Sequence, residues 1–286
     1  MKVHIDCFPC FLRQAIIALR YGTKDKDLQE EILKAVLDDI KASDTNRAPA
    51  FTTTFIHRRI RDLLNKDPFN DIKSEYNRIA LGLYPSLKKI VKESIDPLYT
   101  ASRLAIAGNI IDFGIFTSVD IEASIERALN NPLSIDDYIS LKSIINRSKR
   151  ILYLLDNAGE IVFDRVLIET LISLGSHVTA VVKGSPIIND CTLKDAIEVG
   201  LTNVCEVIDN GSDGVGTILE LTSPEFRGYF ERADLILSKG QGNFETLLEV
   251  KRDKMIFYLF QSKCEVVSKE IGLSLGSMIL LRSYKY

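Results

Sequence analysis

The stretch Arg150-Ile151-Leu152-Tyr153-Leu154-Leu155-Asp156-Asn157-Ala158-Gly159-Glu160 reads as a strand, a polar turn and the start of a helix. Residues 151–155 are apolar without alternation, as in a strand covered on both faces. Four similar short runs follow, at 177–182, 204–208, 234–237 and 255–260. Helical patterns at 161–174, 193–199 and 244–250 separate them. Strands alternating with helices predict a parallel, doubly wound sheet.

Before residue 150 the periodicity is different. Phe11, Ile16, Ile17 and Leu19 form one helical stripe, Leu28, Ile32, Leu33, Val36, Leu37 and Ile40 a second, and Phe55, Ile56, Ile60, Leu63 and Leu64 a third. Gly22, Pro49, Asp67 with Pro68, Pro85, and Asp96 with Pro97 punctuate the helices, and no long strand pattern appears. The expected fold class is α/β, a helical segment at 1–148 packed with a mostly parallel α/β segment at 149–286. The link between them falls near 146–150.

With 286 residues, 46% hydrophobic and 26% charged, the chain has the composition of a folded globular protein. No apolar run approaches the ~18 residues of a membrane span, and Asp6, Arg13 and Gln14 interrupt any amino-terminal leader pattern. A cytoplasmic location without a membrane partner is expected. The formal net charge of −3 argues against a nucleic-acid partner. Residues 1–150 carry 23 basic and 20 acidic side chains, residues 151–250 carry 6 and 16, and residues 251–286 carry 7 and 3. The acidic stretch suits an ordinary solvated face or, more sharply, a cation site.

Five cysteines, an odd number without an export signal, argue against a disulfide framework. Cys7 and Cys10 open a helical pattern, for which packing or a cap role is a better reading than zinc or redox chemistry. They belong to the segment without the strand ends, so little part in catalysis is expected.

Ligands of an open parallel sheet bind beyond the carboxyl ends of its strands. Here those ends carry Asp156, Asn157 and Glu160, then Lys183 to Asp190, then Ser238, Lys239 and Gly240, then Lys263. Asp156, Asn157 and Asp190 offer oxygen donors of the kind Mg2+ or Mn2+ prefers, too few to close a coordination shell. Co2+ and Ni2+ are further candidates. Lys183, Lys239 and Lys263 can neutralise a phosphate, and Gly240 can present backbone N–H groups to it. Taken singly, each of these is ordinary cap or turn material; their recurrence at successive strand ends is the signal. GxGxxG after the first strand and GxxxxGK[ST] anywhere are absent, which argues against a dinucleotide fold or a P-loop. Asp156 is not followed by the Asp-x-Asp of an aspartyl-nucleophile phosphatase, and His4, His57 and His177 are too few for a histidine-rich metal cluster.

Four ordered segments, 108–114 (Gly-Asn-Ile-Ile-Asp-Phe-Gly), 156–160, 182–190 and 238–243, together resemble the damage-control phosphatase family, long catalogued as domain of unknown function 89 and also called acidic-residue-methyltransferase-like. The Cys-Phe-Pro-Cys start resembles its stand-alone microbial branch. The resemblance implies a Rossmann-like α/β part joined to a helical one, and metal-dependent hydrolysis of small phosphorylated metabolites, such as sugar phosphates or damaged phosphometabolites. It places metal ligands at Asp156, Asn157 and Asp190, substrate contacts at Ser238, Lys239 and Gly240, and a late lysine at Lys263. The Arg-Thr-x-Lys pattern of some eukaryotic members reads Phe260-Gln261-Ser262-Lys263 here, so only the lysine carries over. The resemblance also raises a pocket role for Asn109 and Asp112, otherwise a helix-end turn with its cap. Asp112 and Glu160 are the two candidates for general base. An S-adenosylmethionine-dependent carboxyl methyltransferase and a non-catalytic metabolite-binding module are the competing readings.

Overall fold

The computed structural model describes residues 1–110, 121–248, 250 and 254–283. Six helices open the chain: α1 (Cys7–Gly22), α2 (Lys26–Lys41), α3 (Pro49–Leu64), α4 (Asn70–Glu93), α5 (Pro97–Ile110) and α6 (Ile121–Asn130). Their starts follow local chemistry. Asp25 accepts from the backbone N–H groups of Asp27 and Leu28 to cap α2, while proline opens α3 and α5, where its missing donor costs nothing. Pro85 does not end a helix as the sequence suggests. α4 runs through it, because the stripe of Ala80, Leu87 and Val91 stays buried in the core on both sides of the proline.

Strands β1 (Ile135–Asp136), β2 (Arg150–Leu154), β3 (His177–Val182), β4 (Glu206–Asp209), β5 (Leu235–Lys239), β6 (Ile256–Gln261) and β7 (Met278–Arg282) form one sheet, ordered β1-β7-β6-β5-β2-β3-β4. β2 lies between β3 and β5, with Leu152 opposite both Thr179 and Ile236. β7 alone runs antiparallel to its neighbour β6, and the two-residue β1 pairs with it. Both were invisible as strands in the sequence: β1 is too short to show a pattern, and the apolar run 278–281 carries no sign of direction. The chain crosses back over β2 between β4 and β5, so the crevice at the carboxyl ends of β2 and β5 is the sheet's topological switch point.

The helices between strands are α7 (Tyr138–Ile145), before β2, then α8 (Glu160–Ser173), α9 (Leu193–Glu198), α10 (Pro224–Arg232), α11 (Gln241–Leu247) and α12 (Glu265–Glu270). One face of the sheet buries Tyr153, Ala180 and Leu237 with Leu104, Phe163 and Leu167 of α5 and α8. The other buries Leu154, Ile236 and Tyr258 with Phe226, Phe230 and Phe244 of α10 and α11. A third cluster holds α1, α2 and α3 together around Phe11, Ile32 and Ile56 and reaches Ile188 and Val266 near the strand ends. The fold is mixed α/β with a mostly parallel seven-stranded sheet, as expected. Several boundaries moved: β4 starts two residues later than its apolar run, β5 extends through Ser238 and Lys239, and α11 lies three residues earlier than its apolar pattern at both ends.

Candidate active site at the strand ends

The loops after β2 and β3 are laced together. Cys191 donates its N–H to the Asp156 carbonyl at 2.8 Å and Ala158 donates to the Asn189 carbonyl at 2.9 Å, leaving Asn157 and Asp190 as an antiparallel bridge. Two residues before Asp190, Ile188 holds a φ of 44°, a β-branched residue in the left-handed region. Such a conformation costs about 1–3 kcal/mol and persists only where its surroundings impose it. From the other side of the switch point, Gly240 brings bare backbone against the Asp156 carboxylate.

Asp156 Oδ2 accepts from Asn157 Nδ2 at 2.8 Å and from Asn109 Nδ2 at 3.1 Å. Asn109, in the last turn of α5, also donates to Glu160 Oε2 at 3.0 Å and accepts from the Gln261 N–H at 3.1 Å, so the helical segment reaches the ends of β2 and β6. Asn157 Nδ2 makes a second bond to Glu160 Oε2 at 3.1 Å. Lys183 is buried, donates to the Gly216 carbonyl, and lies 3.3 Å from Asp190 Oδ2 in an ion-pair contact without hydrogen-bond geometry. That buried oxygen has no hydrogen-bond partner among the described residues.

Burial, with the neighbouring carboxylates of Glu160 and Asp190, pushes the Asp156 carboxyl well above the usual carboxylate range, against the pull of Lys263 and Lys183. Burial also raises Asp190, and Lys183 only partly offsets it. Glu160 moves the other way. Burial alone would raise it, but Lys239, Lys263 and Asn109 hold its carboxyl below the ordinary value.

Several sequence-predicted residues therefore meet at one place: Asn109, Asp156, Asn157, Glu160, Lys183, Asp190 and Gly240. Others stand apart. Lys239 is not open to the crevice: it is the last residue of β5 and its ammonium is fully buried, 2.5 Å from Glu160 Oε1 and 2.6 Å from Asp164 Oδ1. Ser238 precedes it in the strand with its hydroxyl buried and without a partner. Lys263 is exposed and forms no ion pair among the described residues, but it borders the site closely enough to pull on the Asp156 and Glu160 carboxyls. Asp112 lies outside the described residues. Asp164 was missed by reading the sequence, although an aspartate one turn after Glu160, within the apolar run 161–168, signals a buried acid on the same helix face.

The donor set fits a hard divalent cation. Two carboxylates and a carboxamide sit at adjoining strand ends, one carboxylate oxygen is buried without a hydrogen-bond partner, and the acids crowd one another. Among the described residues no three His, Cys, Asp or Glu side chains close around one point, so water and substrate would complete the shell. Beside the crevice lies a cavity of about 500 Å3 lined by Gln241, Ile188, Cys264 and the first turn of α1. Cys7 and Cys10 thus border the strand-end loops rather than lying remote from them. Cys7 is buried in the α1–α3 cluster and Cys10 is exposed.

Residues 3–279 match the damage-control phosphatase ARMT1-like domain. The chain belongs to the damage-control phosphatase family. A protein of Methanocaldococcus jannaschii called MJ0202 is 38% identical, covering 99% of this chain and 96% of its own. Damage-control phosphatase PH1575 of Pyrococcus horikoshii is 36% identical, covering 99% of both chains. The crystal structure of the P. horikoshii protein, described as a DUF89 family protein, superposes with a TM-score of 0.93 over 99% of this chain and 100% of that one, at 34% identity. Among the described residues, no helix of this damage-control phosphatase family member is long and apolar enough to cross a membrane.

Proposed function

We propose that the chain is a metal-dependent phosphomonoesterase acting on small phosphorylated metabolites. The observation that carries this reading is the bridge between Asn157 and Asp190 beside Asp156, two buried or half-buried acids from different strands without enough positive charge between them. The name of the P. horikoshii relative, damage-control phosphatase, supports the phosphatase part of this reading.

Asp156, Asn157 and Asp190 would hold Mn2+ or Mg2+, with Co2+ or Ni2+ as alternatives. A cation bound there supplies Lewis-acid polarisation of a phosphoryl group. The residues around it do the rest. The exposed Lys263 balances charge on the phosphoryl oxygens, buried Lys183 is engaged by the Gly216 carbonyl and Asp190, and Gly240 makes room for the Asp156 carboxylate. Asn109 orients the Asp156 carboxylate. Water attacks phosphorus, the P–O bond to the metabolite breaks, and the leaving oxygen takes one of the water's protons while the other stays on the phosphate. Glu160 is poorly suited to general-base work, since its oxygens already accept from Lys239, Asn109 and Asn157 and its carboxyl is held below the ordinary value.

The test is phosphate release from an aryl phosphate and a panel of sugar phosphates, using chelator-treated protein resupplied with each cation. Metal-stimulated turnover is expected. No turnover with any cation, together with calorimetric binding of S-adenosylmethionine, would make the methyltransferase reading the better one. Saturable metabolite binding without turnover would leave a binding module.

A further inference from the structure

Beneath the crevice runs a chain of buried polar groups that no substrate reaches. Tyr153, within β2, donates its hydroxyl to Asp164 Oδ1 at 2.7 Å. Lys239 donates to the same oxygen at 2.6 Å and to Glu160 Oε1 at 2.5 Å. Tyr153, Asp164 and Lys239 are 0% exposed and Glu160 is 1% exposed. Asp164 Oδ2 has no hydrogen-bond partner among the described residues. A buried ionic cluster is weak evidence for stability, since well-packed apolar side chains often serve as well. Its presence here asks for another role.

The direction of the hydrogen bonds supplies one. Lys239 takes Glu160 Oε1, which leaves Oε2 to accept the Nδ2 groups of Asn109 and Asn157. Asn157 Nδ2 also faces Asp156 Oδ2. A carboxylate only accepts, and a carboxamide donates only through its nitrogen. Turning the Asn157 amide over would set its oxygen against two carboxylate oxygens. Its Oδ1 must therefore face away from both acids.

We propose that Asp164 and Tyr153 are positioning residues: through Lys239 they fix Glu160, and Glu160 holds Asn157 so that its carboxamide oxygen is presented as a donor to a divalent cation. This rests on the metal-dependent reading above. It also gives Lys239 a place in the scaffold of the site rather than on the phosphate. Asp164 touches none of the three proposed ligands, so beyond the buried charge it carries its effect would travel by orientation.

The experiment is calorimetric titration of Mn2+ into the full chain without substrate, comparing the parent with Asp164→Asn and Tyr153→Phe, with thermal melts beside it. Asp164→Asn keeps the side-chain shape and leaves Lys239 paired to Glu160. Direct outer-shell partners of metal ligands, here Glu160 on Asn157, are typically worth roughly 10- to 100-fold in metal affinity; Asp164 acts two links further out, through Lys239 and Glu160, so Asp164→Asn should lose at most roughly 10-fold. Tyr153→Phe, lacking one hydrogen bond, should lose less in the same direction, and decides the matter if Asp164→Asn does not fold. At saturating Mn2+ the variants are loaded too, so kcat and the aryl phosphate KM should return toward the parental values; a rise in KM that excess Mn2+ does not reverse would put Lys239 on the phosphate and overturn the proposal. If the parent takes up no Mn2+, the functional reading fails and this inference with it. If the parent binds Mn2+ and the folded variants bind it equally well, only this inference fails.

Discussion

Gly240 and Asp156 are in closer contact than any side chain at position 240 would allow: a Cβ there would lie 2.0 Å from Asp156 Oδ2. Gly240 also adopts φ 80° and ψ 159°, a region open essentially to glycine alone. Gly240→Ala should therefore cost about 1–3 kcal/mol of stability and displace the Asp156 carboxylate. Urea denaturation and Mn2+ titration should both show a loss; an alanine variant with parental stability and affinity would refute the contact.

Asp156→Asn and Asp190→Asn should each lower metal-stimulated turnover by roughly a hundredfold or more, since a polarising cation contributes several kcal/mol to such a reaction. The melting temperature of Asp156→Asn should hold or rise, because the change removes like-charge repulsion, whereas that of Asp190→Asn should fall, because buried Lys183 loses its counter-ion. Kinetics and melts on the same preparations check both halves. Parental turnover in either variant would move the cation elsewhere.

His57, buried in α3 near Phe69, has a hidden Nε2 without a partner. Burial and the nearby Arg61 hold its pKa down to about 4, from an ordinary 6.5. The unfolded chain therefore binds the extra proton first. Stability from this residue is constant above about pH 6.5 and falls as the pH drops toward 4, by up to about 3 kcal/mol. His57→Phe should flatten that limb of a denaturation-versus-pH curve, and an unchanged slope would count against it.

Asp213, after β4, receives Arg58 at 2.9 and 2.5 Å and Arg61 at 2.7 Å, both from α3. Burial alone would raise its carboxyl, but the two guanidinium groups bring it down to about 2. Its contribution is complete above the ordinary carboxylate value and disappears as the pH falls toward 2. Asp213→Asn should cost roughly 2 kcal/mol at pH 7, allowing for the partly exposed arginines, and almost nothing at pH 2. Denaturation of parent and variant at both pH values measures the difference.

Local pattern determined a good deal of this protein. Unbroken apolar runs announced β2, β3, β5 and β6, because a parallel strand covered on both faces has no polar side to show. Proline and capping residues placed most of the early helix boundaries. Asp156, Asn157 and Asp190 were legible as a group because strand ends of a doubly wound sheet are where ligands bind, whatever the fold's details. What only the tertiary structure decided is which charges remain available. Lys239 reads in sequence as a loop lysine for phosphate, yet it lies at the end of β5, under α8, where Glu160 and Asp164 reach it first. Asn109 and Asp156 are 47 residues apart and meet only because α5 packs across α8. Pairings of this kind depend on how helices cross the sheet, and charge on a chain becomes chemistry only after burial has settled which partners it keeps.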